Sequence, residues 1–211
     1  MYLGIAGYNH ESSAALVDNN GNLIDYCKEE YLSRIKGDKS FPKRSLKKII
    51  KDNNLDLKRI KSISFYERPL SAFLFPLKTA ASHLPESLPF MSHQLRNFNK
   101  SSITCFSDVA DLLPGLEKKL IYLDHHLSHT LTALAYTEQN DNLCSVVVDG
   151  FGDRNTTSIS SVNNPFEIKE LWDTKYPFSL GLYYSTITDF LGFQVNEGEY
   201  KVCLLYTSDA A

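Results

Sequence analysis

The sequence predicts an α/β fold built from two like halves, on three observations. Three short apolar runs separated by turn residues open the chain, and a helix, strand, helix succession follows. From residue 143 a second set of strands restarts the opening pattern. Strands gathered ahead of helices, and then gathered again, point to a repeated mixed unit.

The opening runs are "YLGIAGY", "SAALVD" and "LIDYCKEEYL", with Asn19-Asn20-Gly21-Asn22 between the second and third. Asn and Gly tolerate positive φ, so this is hairpin chemistry and the three runs read as an antiparallel meander. Pro42 precedes "KRSLKKIIKDNN", where Leu46, Ile49 and Ile50 fall at helical spacing with lysines opposite. "IKSISFY" is the next strand. Residues 68–117 mix helix and loop, rich in Phe, Leu and Pro, without a clean period. "KLIYLD" is a strand and "SHTLTALAYTEQ" a helix. The second cycle begins with "NLCSVVVDGFGDRNTTSISSV", two strands joined by a Gly-rich turn, and "FEIKELWDT" is a third strand after Asn163-Asn164-Pro165. "SLGLYYSTITDFLGF" is then an amphipathic helix.

Three meander strands, helix, strand, helix and a restart is the plan of a duplicated ribonuclease H-like unit. In the actin, Hsp70 and sugar-kinase type of fold, two such units clamp a nucleotide. The expected division is a first lobe over 1–142, with a helical and loop insertion at about 68–117, and a second lobe from 143 to 202 that is incomplete. The final "CLLYTSDAA" resembles the translated read-through of a sequencing-library transposase adapter. The expectation is that the natural protein continues past Val202 and that Cys203 to Ala211 are foreign to it. Such a fragment is expected to be inactive and poorly soluble, with Leu180, Tyr184 and Phe190 uncovered.

Composition narrows the function classes. Hydrophobic content of 43%, charged content of 22% and a net charge of −3 give no general attraction to nucleic acid or membrane. Half of the positive charge nevertheless falls between Arg34 and Lys61, a local basic segment. No run of 18 apolar residues marks a membrane span, and the opening "MYLGIAGYNH", without a basic segment and a long apolar one, is read as lacking a secretion signal. Cys27, Cys105, Cys144 and Cys203 lack CxxC spacing, which reads as reduced thiols of a cytoplasmic protein.

"IYLDHHLSHTLTALAY" holds three of the chain's 6 histidines within five residues. On a helix His125 and His129 share a face and can present two imidazoles to one point, while His126 points roughly 100° away. The plainer alternative is a helix start capped by Asp124 or Ser128, with the histidines bordering the core. Asp149 in "VVVDGFGD" supplies a third candidate ligand, at a strand end followed by glycines. Its plainer reading is a turn-forming Asp-Gly. Two imidazoles and one carboxylate suit Fe(II), Zn or Mn with positions left open for substrate. His10 sits where the first hairpin turns, and Arg34 and Lys36 in "EEYLSRIKGDKSFP" offer a fork and a point charge for phosphate or carboxylate oxygens. The alternative there is a solvated basic loop.

Five blocks in order carry a resemblance: "GYNHESSAAL", "EEYLSRIKGDKSFP", "DHHLSHTLTA", "VVVDGFGDRNTTS", and "PFSLGLYYSTITDFLGF" leading into "EGEYKV". Together they resemble the O-carbamoyltransferases of the NodU/CmcH type, over most of residues 1–202. Glu11 stands where that family usually has Asp, Gly37 where it has His, and Asp153 where it has Glu.

The resemblance implies ATP and carbamoyl phosphate as substrates. They form a carbamoyl-adenylate in a C-terminal YrdC-like domain, and the part seen here transfers the carbamoyl group to a hydroxyl of a sugar, glycolipid or natural product. It implies that His125, His129 and Asp149 hold a divalent metal, Fe(II) by family analogy, with a further aspartate downstream. His10 and Lys36 become catalytic candidates, His10 as proton acceptor. His10, Arg34, Lys36, Asp149, Gly150, Gly152, Ser179 and Lys201 become candidates for binding substrate or nucleotide. Acceptor choice is expected in residues 68–117. The competing readings are a threonylcarbamoyl-transferring tRNA-modification protein and a non-catalytic nucleotide-binding module of the same fold.

Overall fold

The structure is a computed structural model that describes residues 1–9, 11–98, 101–138, 143–164 and 167–208. The chain is mixed α/β and packs as two units, Met1–His125 and His126–Ala211. The division falls at the first residue of a helix.

In the first unit the meander forms as β1 (Tyr2–Ala6), β2 (Ser13–Val17) and β3 (Leu23–Lys28). The β2–β3 turn is closed by Asp18, whose Oδ1 accepts the Asn20 and Asn22 N–H groups at 2.7 and 2.9 Å, with Gly21 at φ 88°. β4 (Ser62–Phe65) and β5 (Leu120–Tyr122) then add in parallel on the far side of β1, giving the order β3-β2-β1-β4-β5. Register puts Leu3 opposite Leu16 and Ile63, and Ile5 opposite Ala14 and Phe65. These alternate residues face one core, where α2 (Lys43–Asp52) inserts Leu46 and Ile49 and α5 (Cys105–Leu112) inserts Cys105 and Val109. Each such aliphatic or aromatic side chain contributes about 1.5–3 kcal/mol on burial. Desolvation pushes the Cys105 thiol up to about 12, so it packs as a small neutral group.

The irregular stretch resolves into α3 (Pro69–Ala81), α4 (Leu88–Arg96) and α5, with 3₁₀ turns between. Its lack of a clean period has a cause. The described part of α4 buries no residue and α3 buries only Pro69, Pro76 and Ala80, so neither helix needs a continuous apolar stripe.

A short helix that the sequence pattern hides, α1 (Glu29–Ser33), follows β3 directly. Its first residue, Glu29, is 3% exposed and caps α2 from outside. The Glu29 carboxylate accepts the Arg44 N–H at 3.0 Å, the Ser45 N–H at 2.8 Å and the Ser45 hydroxyl at 2.9 Å. The N-cap position of α2 is Pro42, which has no capping side chain, so Glu29 satisfies donors that would otherwise be orphaned. Glu29→Ala leaves the buried Ser45 N–H and hydroxyl unmet. We expect a loss of about 2–4 kcal/mol in urea unfolding, from a buried charge-assisted cap, with Glu29→Gln losing less. An unchanged midpoint in Glu29→Ala would remove this residue from the account of α2.

The second unit carries α6 (His125–Ala135), except for its first residue, and an antiparallel sheet ordered β6-β7-β8. The strands are β6 (Leu143–Gly152), β7 (Asn155–Asn164) and β8 (Glu167–Lys175), followed by α7 (Leu180–Phe190) and α8 (Glu199–Ser208). Much of what β7 buries is polar: Thr156, Thr157, Ser158 and Ser160 are all buried, and Thr156 pairs its hydroxyl with that of Thr174 at 2.9 Å. Leu180, Tyr184 and Phe190 are exposed, at 65%, 41% and 84%. Among the described residues, no helix is long and apolar enough to cross a membrane.

Candidate metal centre

α6 begins at His125, one turn before the expected start at Ser128, so both histidines of the pair lie within it. Two bonds fix its rotation. His126 Nδ1 meets Ser158 Oγ of β7 at 2.7 Å, and Thr130 Oγ1 meets Ser145 Oγ of β6 at 2.9 Å. His126 and Thr130 are four residues apart and buried, so this stripe of the helix faces the sheet. The stripe one residue earlier, His125 and His129, is thereby turned roughly 100° around the helix.

Asp149 stands where β6 departs from regular pairing with β7. Val148 opposes Thr157, and pairing resumes only at Gly152 opposite Asn155. β6 therefore does not stop at Asp149, as the sequence suggested, but runs through an irregularity to Gly152. Such a bulge re-aims a side chain that regular alternation would fix. The ligand atoms of His125, His129 and Asp149 all lie within 4.8 Å of one another, and His129 Nε2 is 3.8 Å from Asp149 Oδ2. Adjacent ligand atoms around an ion with bonds of about 2.1 Å sit about 3–3.4 Å apart, so these three would need to close by at most about 1.5–2 Å to share one ion. Two imidazole nitrogens and one carboxylate oxygen are the donor set of a divalent transition metal. His125 is buried, Asp149 half-buried and His129 exposed, which leaves one side open.

The backbone behind Asp149 is held by α7. Ser179 caps that helix, its Oγ accepting the Leu182 N–H at 3.0 Å, and donates toward Gly150 O at 2.7 Å and Asp149 O at 3.1 Å. Gly181 brings the first turn of α7 against the same peptide. A Cβ there would sit 2.6 Å from Gly150 N and 2.7 Å from Asp149 C and O. The Gly150 N–H is directed to Asp149 Oδ1 at 2.6 Å, so its expected role as a phosphate donor requires that bond to open. Gly152 is buried, its carbonyl accepting the Arg154 N–H across the β6–β7 turn.

The other candidates lie elsewhere in their units. His10 lies outside the described residues. Arg34, at φ 61°, ends α1, and Lys36 is exposed on the loop that follows. That loop is tied down on several sides. Glu30 Oε2 accepts the Gly37 N–H at 2.9 Å, and Asp38 Oδ1 accepts the Ser40 N–H and hydroxyl at 2.9 and 2.7 Å. Burial opposes the charge of Asp38, yet the Ser33 and Ser40 bonds prevail and hold its carboxyl below the usual range. The loop backbone is stitched to both flanks of position 10: Tyr8 N–H donates to Lys39 O at 2.8 Å, Ser12 N–H to Asp38 O at 2.9 Å, and Ser12 Oγ to Ser40 O. A cavity of about 440 Å³ opens beside it, lined by residues that include Ile35, Asp38, Phe41, Arg44, Asp108 and Asp111. Lys201 lies on α8 with its ammonium over the rings of Phe193 and Tyr200, at 5.8 and 5.9 Å. The residues that sequence reasoning passed over are those that orient the ligands, chiefly Thr130, Ser145, Ser158 and Gly181; spacing along one element does not reveal them.

A family model describing the carbamoyltransferase N-terminus matches residues 1–208. The chain belongs to the carbamoyltransferase family. An uncharacterized protein of Synechocystis sp. is 33% identical over 212 aligned residues, covering 95% of this chain and 33% of that protein. The nodulation protein NolNO of Sinorhizobium fredii is 28% identical over 207, covering 92% and 27%. This chain thus spans about a third of the length of the curated relatives it matches. A solved structure from Porphyromonas gingivalis, named for N-acetylglucosamine kinase, aligns at a TM-score of 0.40 and 11% identity over 91% of this chain and 55% of that one. That likeness is too distant to bear on the fold.

Proposed function

We propose that this chain is the N-terminal part of an enzyme that moves a carbamoyl group from carbamoyl-adenylate, made from carbamoyl phosphate and ATP, to a hydroxyl of a small acceptor. The sheet order β3-β2-β1-β4-β5 suits one ribonuclease H-like unit. We read the antiparallel β6-β7-β8 sheet as the opening of a second, completed by further chain that also brings a YrdC-like domain. The observation that carries the reading is the approach of His125, His129 and Asp149 within 4.8 Å in a chain of this family.

The three side chains would hold one divalent cation, Fe(II) by family analogy, which supplies Lewis acidity toward the carbamoyl donor. The chain's own groups do the rest. The acceptor oxygen attacks the carbamoyl carbon, the bond from that carbon to the phosphate oxygen breaks, and AMP leaves with the electron pair. The acceptor's proton passes to His10, a base in reach of neutral pH. Lys36 and Arg34 offset the charge gathering on the departing phosphate. Their loop suits this role because it is bonded to both sides of the turn that carries His10, which lowers the cost of bringing the groups together. By family analogy Ser179, Gly152 and Lys201 would also serve nucleotide binding.

The test is to express the gene at the length of its relatives, load it anaerobically with Fe(II), and follow carbamoyl transfer from labelled carbamoyl phosphate with ATP. We expect one metal per chain and label in an alkali-labile carbamate ester on a hydroxyl acceptor. Substoichiometric metal in a folded, active protein would refute the ligand assignment, and ATP-independent labelling would refute the adenylate donor.

A further inference from the structure

Tyr66 follows β4 and is engaged at both ends of its side chain. Its hydroxyl donates to Gly7 O at 3.1 Å and accepts from Asn9 Nδ2 at 3.0 Å, holding the β1–β2 turn just before position 10. Asn9 Nδ2 also reaches Oε2 of the buried Glu67 at 3.4 Å. The turn needs such restraint, because Tyr8 and Glu11 on either side of Asn9 and His10 take φ of 73° and 49°. The ring of Tyr66 packs on Phe65 at 4.8 Å and meets the His125 imidazole in a T-shaped contact, with centroids 5.4 Å apart and planes at 65°. Edge-to-face packing prefers one ring orientation, so the Tyr66 ring selects the plane in which His125 presents its nitrogens.

We propose that Tyr66 is a positioning residue whose ring sets the plane of His125 and whose hydroxyl sets the β1–β2 turn, so that a ligand and the catalytic turn are aligned by one side chain. The purpose of this alignment rests on the function proposed above; the alignment itself is a property of the first unit alone. Hydrogen-bond partners that orient a metal-binding histidine commonly change metal affinity 10–100-fold when lost, and ring packing acts on the same orientation. Tyr66 separates its two tasks by chemistry. Phe keeps the ring and drops the hydroxyl, whereas Leu drops both.

The test uses the protein expressed at the length of its relatives, with Co(II) as the probe, together with imidazole NMR signals of His125 in the metal-free protein, assigned by loss in His125→Gln. Tyr66→Phe is expected to leave the His125 ring signals in place and Co(II) affinity within about twofold, while Tyr66→Leu shifts the signals and weakens Co(II) about tenfold. Tyr66→Met replaces Tyr66→Leu if the latter fails to fold. In the same protein, Tyr66→Phe is expected to lower kcat with little change in KM, since only the turn is released. Unmoved His125 signals in the Leu and Met variants, or Tyr66→Phe losing as much Co(II) affinity as Tyr66→Leu, would overturn the proposal. A wild-type chain that takes up no Co(II) would count against the metal reading, and the metal-free His125 signals would still decide the role of Tyr66.

Discussion

Asp149→Asn is expected to abolish stoichiometric divalent-metal binding and to lower carbamoyl transfer by about a thousandfold or more, the several kcal/mol that a bound Lewis acid supplies. The substitution keeps the shape of the side chain and an oxygen able to accept the Gly150 N–H, now at 2.6 Å from Oδ1. What it removes is the anionic oxygen that lies 3.8 Å from His129 Nε2. Two imidazoles and a neutral amide attract a dication far less than two imidazoles and a carboxylate. Because Asp149 is half-buried and off the regular ladder, the melting temperature of the metal-free chain should change little. That combination distinguishes a ligand from a structural aspartate. Metal analysis after gel filtration and calorimetric titration with Co(II) provide the check, and wild-type affinity in Asp149→Asn would remove this carboxylate from the site.

The parts of this picture that could be read from sequence are those in which a period or a turn residue decides the outcome. Short apolar runs bounded by turn residues marked strands of the first sheet, and Asn19 to Asn22 marked its hairpin; the structure shows Leu3, Ile5, Ala14, Leu16, Ile63 and Phe65 alternating into one core, as burial on one face requires. Leu46 and Ile49 gave α2 for the equivalent reason on a helix. α1 was hidden because "LIDYCKEEYL" has no break where the strand becomes a helix. Glu29, one of two adjacent acids, looks like a solvated charge until the N-terminus of α2 is brought to it.

The candidate site divides in the same way. The histidine pair is a local feature, visible at a spacing of four residues. Its direction depends on His126 and Thr130 finding Ser158 and Ser145 across the unit, which no spacing encodes. The position of Asp149 depends on a pairing irregularity, and Val146, Val147 and Val148 before it suggest only an ordinary strand.

Gly181→Ala is the variant in which helix propensity and packing predict opposite signs. On an isolated helix, alanine is favoured over glycine by about 1 kcal/mol. Here the added Cβ would lie 2.6 Å from Gly150 N and 2.7 Å from Asp149 C and O, closer than carbon approaches backbone atoms. None of those atoms belongs to a side chain that can swing away, so the first turn of α7 must back off from β6. Retreat stretches the Ser179 Oγ contacts to Gly150 O and Asp149 O, which join the helix cap to the strand. Overpacking of this kind costs about 1–3 kcal/mol, and it exceeds the propensity gain because the clash is with backbone. Gly150→Ala is the comparison, since its Cβ would meet only Leu182 Cδ2 at 3.8 Å, an ordinary contact. We therefore expect Gly181→Ala to unfold at lower urea than both wild type and Gly150→Ala, and to bind Co(II) at least about tenfold more weakly, the scale of lost ligand support. The two readouts are linked through Asp149: the peptide that Gly181 touches is the one that aims this carboxylate at His129. A Gly181→Ala chain that melts like wild type and binds Co(II) like wild type would mean that β6 holds Asp149 in place without α7.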